Sequence, residues 1–421
     1  MLDPLATARL IREEWSRVVA VAMRILDDLD EAEDMAQEAL LEAARHWPVD
    51  GVPASPGAWL TTVARNRALN RLRSRRRGGW PWLALDDNGN GQPVAVGADP
   101  TTGDPDGYGD DRLRLIVMCC HPCLRRDAQV ALTLRLVGGL TAREIAASFV
   151  QTEATVAQRI TRAKKRLRER GARFELPSVA ELPARLDPVL EVIYLTFNEG
   201  YGPHAATEHR SRLCGEAEML ADQLTEIAPA LPEVWGLAAL IHFGTSRFPA
   251  RAGASGELVP LDEQDRGRWD RAQVRSGERC LAAGRNAAAG TPAGPYLLQA
   301  EIAAQHARAR TWEQTDWATV ARLYAVLAER TGNPVVTLNW AIARSYTEGP
   351  AAALASVDAL RATLDGYPYL TATRADLLRR AGQPRAAAAL YRILVSGTTG
   401  DQLKAYYQRR LAECEHHQQQ R

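Results

Sequence analysis

Apolar positions recur three and four residues apart along almost the whole chain, Gly or Pro breaks the rows, and strand-like alternation of Val, Ile and Thr is nearly absent. The pattern predicts an all-α fold. Residues 4–77 read as three or four helices, the last carried by the row Leu60, Val63, Ala64, Ala68, Leu69 and Leu72. A second block, 112–174, carries a helix-turn-helix pattern: Leu140 to Phe149, a turn at Val150-Gln151, then Thr152 to Leu167. Thr141 is placed to cap the first helix with Glu144 reaching back, and Leu140 and Ile145 are spaced as a hydrophobic staple. Thr152 caps the second in the same way. Val156, Ile160, Ala163 and Leu167 form its packing row, which leaves Gln158, Arg159, Arg162, Lys165 and Arg166 facing outward.

A third block opens near Asp187-Pro188, read as an N-cap followed by proline at the first helical position. Asp316, Pro350 and Pro384 then follow at steps of 34 residues. Each opens an Ala-rich second helix of its repeat: Trp317 to Leu327, Ala351 to Leu360 and Arg385 to Leu394. Ala341 and Ala375 share the step in the preceding helices. Thirty-four residues is the tetratricopeptide period, in which each helix pair hides its apolar face by stacking on the next. Phe197-Asn-Glu-Gly-Tyr201 reads as a structural turn at a domain junction.

Charge changes this picture locally rather than globally. The chain of 421 residues has a formal net charge of +1, yet Trp59 to Arg77 holds seven arginines and no acidic residue. One face of that helix packs, and the other is built to meet phosphate. Asp86 to Asp111 is the counterweight, with seven aspartates, no Lys or Arg and little to bury, and is expected to be a flexible acidic linker. No apolar run approaches a membrane span of ~20 residues, no secretory leader is legible, and six scattered cysteines do not make a disulfide framework. A cytoplasmic protein without a membrane partner is expected. Cys119, Cys120, His121 and Cys123 lack the paired spacing of zinc sites, so a buried packing role is expected there, with no metal and no cofactor. Residues 187–421 offer no Gly-rich phosphate loop and no catalytic constellation, and an enzyme is not expected.

Two DNA-facing blocks in this order, joined by a linker, resemble the extracytoplasmic-function sigma factors of the sigma-70 family. The match runs over roughly residues 10–174. Met118 to Cys123, Ile193 to Tyr201 and the repeat tail together resemble a subgroup with a long C-terminal helical extension. The resemblance implies four segments: sigma region 2 over 1–80, the linker 81–111, region 4 over 112–175, and a helical extension over 187–421. It further implies that the acidic row Asp30, Glu33, Asp34, Gln37 and Glu38 docks on the β′ coiled coil of core RNA polymerase. The helix from Trp59 to Arg77 would melt and read the −10 element, and region 4 would read the −35 element and touch the β-flap.

Within that frame Arg65, Arg67, Arg71, Arg73, Arg75, Arg76 and Arg77 are the phosphate candidates, Thr62, Asn66 and Asn70 are candidates for base edges, and Trp59 is a stacking residue or a core anchor. If about four arginines neutralise phosphates, affinity falls with a log–log salt slope near −3 to −4. Thr155, Gln158 and Arg159 are the base-edge candidates in duplex DNA, and Arg162, Lys165 and Arg166 the phosphate candidates. The resemblance implies regulation in cis by the extension, whose array would hold a protein or a small ligand. The alternative is a dimeric helix-turn-helix regulator on a palindromic operator, with the tetratricopeptide array binding a partner. Such a regulator has no use for a melting helix.

Overall fold

A computed structural model of the chain describes residues 4–76, 108–149, 151–175, 182–201, 207–253, 259–398 and 401–419. Among them every extended element is a helix, and no β-strand occurs. The chain divides into two compact units, Met1–Thr196 and Phe197–Arg421.

In the first unit α1 (Pro4–Leu26), α2 (Leu29–Asp50) and α3 (Pro56–Arg76) pack on one another. The predicted apolar row closes this bundle: Leu60, Ala64 and Ala68 are buried against a core that includes Val18, Val19, Ala22 and Ala36. Asp28 starts α2, accepting from the backbone N–H groups of Asp30 (2.9 Å) and Glu31 (3.1 Å). Four helices follow: α4 (Tyr108–Cys119), α5 (Arg126–Leu136), α6 (Ala142–Ser148) and α7 (Glu153–Glu169). Thr141 and Glu144 form the expected capping box, and Thr152 caps α7 through the N–H of Thr155 at 3.2 Å. Each such cap is worth about 1 kcal/mol. Val156, Ile160, Ala163 and Leu167 are buried as their spacing requires.

The acidic linker falls mainly on residues outside the described set, but its end, Tyr108 to Asp111, already belongs to α4. Asp111 is fully buried and pairs with Arg24 at 3.4 Å and with Arg114.

Two expectations about the third block need correction. Asp187-Pro188 does not start a helix; both lie inside α8 (Leu182–Tyr201). Proline there removes one intrahelical hydrogen bond, but the apolar face Leu186, Val189, Leu190 and Ile193 runs buried straight through it. The Pro188 carbonyl accepts from Arg126 Nη1 at 3.3 Å, and the same guanidinium pairs with Glu191. Nor is Phe197–Tyr201 a turn: it is the last turn of α8, where Phe197 and Tyr201, four residues apart, stack at 5.2 Å. Tyr201 also carries the Arg251 guanidinium over its ring at 3.6 Å.

The second unit continues with α9 (Thr207–Ile227), α10 (Pro232–Thr245), α11 (Arg271–Ala287) and α12 (Pro295–Arg308). Helix-turn-helix pairs follow: α13 (Trp317–Thr331) with α14 (Pro334–Arg344), α15 (Pro350–Ala359) with α16 (Pro368–Arg380), and α17 (Pro384–Gly397) with α18 (Asp401–Gln419). The 34-residue step lands on real starts: Asp316 caps α13 by accepting from Thr319 N–H at 2.9 Å, and Pro350 and Pro384 begin α15 and α17. Ala341 and Ala375 are buried, small enough to let neighbouring helices approach. Buried Arg266 fastens the loop between α12 and α13, donating to the carbonyls of His306 (2.9 Å) and Ala309 (3.1 Å) and to Thr315 Oγ1 (3.0 Å). Burial, then Arg247 and Arg266, push the His306 imidazole down to about 3, so it stays neutral beside Trp312 and Trp317.

Candidate nucleic-acid interface

Helix α3 presents Thr62, Arg65, Asn66, Asn70, Arg71 and Arg73 to solvent, as its spacing predicts. The Thr62 hydroxyl turns back to donate to the Ala58 carbonyl at 2.8 Å, and Arg73 donates to Asn70 Oδ1 at 3.1 Å. Trp59 is half-buried, edge-on to buried Trp47 with ring centroids 5.7 Å apart, so it anchors α3 against α2. Three arginines of this face are shared with α2. Arg67 reaches Glu38 (3.1 Å) and Glu42 (2.6 Å), Arg75 reaches Glu31 (2.7 Å), and Arg71 lies 3.6 Å from Glu31. The charge row is therefore partly neutralised before any phosphate arrives.

On α7, Thr155, Gln158, Arg162, Lys165 and Arg166 are exposed. Thr155 shares its hydroxyl with the capping Thr152 at 2.7 Å. Arg159 is half-buried, donating to Gln151 Oε1 at 2.9 Å and lying 3.4 Å from Asp127. Lys165 lies 3.7 Å from Glu169.

The acidic row of α2 splits in two. Asp34 and Gln37 are exposed, Glu38 is half-buried, and Leu41 beside them leaves 57% of its surface in solvent. Asp30 and Glu33 are instead clasped by the second helical block. Lys164 Nζ sits 2.7 Å from Asp30 Oδ1 and 2.7 Å from Glu33 Oε2; Arg135 pairs with Glu33, and Arg168 with Asp30 (2.8 Å) and Asp28 (3.3 Å). Glu33 is thus buried and not part of an open acidic face. Burial works against the charge on Lys164, but Glu33 and Asp30 outweigh it and hold the ammonium above the ordinary lysine range. Burial likewise raises Asp30, and Lys164 and Arg168 outweigh it to hold the carboxyl low. A second contact adds to the clasp: Trp15 Nε1 donates to the Arg135 carbonyl at 3.1 Å. The same ring lies 3.1 Å from where a Cβ on Gly139 would be, at a position with φ +69. No side chain fits that position without strain.

Spacing alone did not find Lys164 and its partners, because they lie more than 130 residues apart. One local signal was present: Lys164 follows Ile160 by four residues, on the packing side of α7, where a lysine needs a buried partner.

Cys119 ends α4 and Cys120 follows it, both in the core, and Cys120 Sγ lies 3.7 Å from Thr133 Oγ1. Burial pushes the Cys120 thiol up to about 12 and Cys119 well above its usual range. His121 Nδ1 accepts from the Cys123 N–H at 3.1 Å. Burial of Cys119 and Cys120 fits a packing role, whereas His121 and Cys123 are half-buried. No described helix is long and apolar enough to cross a membrane.

Comparison with known proteins follows the same division. Residues 10–78 match Sigma-70 region 2, residues 114–167 match Sigma-70 region 4, and residues 185–285 match a family of unknown function, DUF6596. An uncharacterized protein of Rhizobium meliloti, R00370, is 40% identical over 398 residues, 94% of this chain and 92% of its own length. The ECF RNA polymerase sigma factor SigK of Mycobacterium tuberculosis is 31% identical over 173 residues, 39% of this chain and 86% of its own length. A probable RNA polymerase sigma factor of Xanthomonas campestris, RfaY, is 29% identical over 166 residues, 39% of this chain and 40% of its own. No solved structure matches. A region 2 ahead of a region 4 is not the layout of an operator-binding regulator, and the chain belongs to the extracytoplasmic-function RNA polymerase sigma factors of the sigma-70 family, with a C-terminal extension.

Proposed function

We propose that α2 is the docking surface for the polymerase β′ coiled coil and that the clasp regulates it. Asp34, Gln37, Glu38 and Leu41 offer an open half, whereas Asp30 and Glu33 are already bound by Lys164, Arg135 and Arg168. Polymerase and region 4 then compete for the same carboxylates, and docking is coupled to release of region 4. Once released, α7 reads duplex DNA through Gln158 and Arg159 and grips phosphates through Arg162, Lys165 and Arg166. Thr62, Asn66 and Asn70 capture unpaired bases of the −10 element, with Arg65, Arg71 and Arg73 on the backbone. The clasp at Lys164 is the observation that carries the coupling. The second unit sets how readily the first opens, by way of a protein or small ligand held on its helix pairs.

Transcription reconstituted with cognate core polymerase tests the reading. The full chain should give promoter-specific initiation, and absence of both initiation and core binding would defeat it. Regulation in cis predicts that truncation after Thr196 changes transcript yield while core binding persists; unchanged yield would remove the extension from the scheme. Residue 196 is the place to cut, because α8 residues up to there pack within the first unit.

A further inference from the structure

We propose that Asp222, His242 and Cys280, from α9, α10 and α11, bind one divalent transition-metal ion of the zinc class. Their ligand atoms, a carboxylate oxygen, an imidazole nitrogen and a thiol sulfur, all lie within 4.8 Å of one another. It is the one such group among the described residues. A tetrahedral ion with bonds of 2.0–2.3 Å holds its ligand atoms about 3.3–3.8 Å apart, so the cluster needs a contraction of about 1 Å, within reach of side-chain rotation. Mixed nitrogen, sulfur and oxygen donors suit zinc better than the hard cations, which take oxygen alone.

The surroundings are those of a ligand held in place. His242 is buried, with Nε2 3.0 Å from Asp222 Oδ1 and Nδ1 2.7 Å from Gln273 Oε1. Gln273 in turn donates to Glu218 Oε1 at 2.8 Å, which fixes which end of its amide faces the ring. A metal-bound histidine is oriented in this manner, through an acceptor for its other ring N–H. The helix approach is set by Gly277, where a Cβ would come within 2.8 Å of the Phe243 ring. That closeness brings Gln273 and Cys280 of α11 beside His242 of α10. The pocket also suits positive charge: the carboxylates of Asp222 and Glu218 lie 3.0 Å and 3.6 Å from the two ring nitrogens of His242. Bound there, a metal ion would staple three helices inside the segment 185–285, whose family has no assigned function.

Cobalt is the probe, because a cobalt–thiolate bond absorbs in the near ultraviolet. The chelator-treated full chain should take up one equivalent of Co²⁺ with that band, and Zn²⁺ should displace it. Cys280→Ser should abolish the band; Gln273→Leu should weaken binding about 10-fold or more. Cys120→Ser and Cys123→Ser should leave it intact. Zn²⁺ at saturation should raise the Tm of the wild-type chain by roughly 5–10 °C, and not that of His242→Gln. No cobalt uptake, a band surviving Cys280→Ser, or a band lost in Cys123→Ser would each overturn the site. Promoter-specific initiation is read separately, so failure of the metal site leaves the assignment of the first unit untouched.

Discussion

Helices α3 and α7 are both strongly basic and both lean on α2, but they do so in opposite ways. On α3 the paired arginines stay in water: the side chains of Arg71 and Arg75 are 56% and 46% exposed where they meet Glu31. On α7 the Lys164 side chain is 9% exposed between Asp30 and Glu33. Exposed pairs are worth about 0–1 kcal/mol and are screened by salt. A buried pair gains little on balance over an apolar one, yet costs about 3–5 kcal/mol when one partner is removed. The first kind of contact can be exchanged for phosphate at little cost. On the proposed reading the second acts as a latch, which opens when another partner takes over the carboxylates.

The largest break in that contrast is Lys164→Ala. Glu33 keeps Arg135 and Asp30 keeps Arg168, so the loss should fall near the lower end, about 3 kcal/mol of the contact between α2 and α7. Donor and acceptor dyes on α2 and α7 should report a longer mean distance at unchanged helix content. An unchanged distance would mean that Trp15 and Gly139 hold the two blocks without the latch.

Acid is the next largest. The Asp30 contribution is present above its unfolded pKa of about 3.9 and is lost as pH falls through its lowered folded value. The Lys164 contribution is complete below about 10.4 and is lost as pH rises through its raised folded value. The dye distance should therefore be flat from pH 5 to 9 and lengthen only below about 4 or above about 10.5. A transition near neutrality would point to a group outside the latch.

The smallest effects belong to α3. Glu31→Gln should change stability by less than about 1 kcal/mol, read by denaturant unfolding. It frees Arg71 and Arg75, so the log–log salt slope for single-stranded −10 DNA should steepen. In the wild-type chain Arg65→Gln and Arg73→Gln should each flatten that slope by about 0.7, and Arg71→Gln by less, because Glu31 already shares its charge. Equal flattening from all three would erase the distinction drawn between shared and unshared arginines.

What was legible in the sequence was local. The capping box at Thr141 and Glu144, the packing row of α7, the exposed face of α3 and the helix starts at Asp316, Pro350 and Pro384 all follow from spacings of three, four or 34 residues. The misread elements are those where tertiary burial overrode a local signal. Proline at 188 and glycine at 200 read as punctuation, yet the buried face of α8 carries the helix through both. The acidic row of α2 looked uniform because periodicity cannot tell that Glu33 will meet a lysine far along the chain. The cluster at Asp222, His242 and Cys280 was invisible for the same reason: its members sit on three helices at no recognisable motif spacing.

The affinity of core polymerase for the full chain and for Lys164→Ala tests the central claim most directly. If region 4 and the β′ coiled coil compete for Asp30 and Glu33, loosening the latch should tighten core binding by about 10-fold or more, about 1.4 kcal/mol for each factor of ten. Affinity that stays the same or falls would contradict the account.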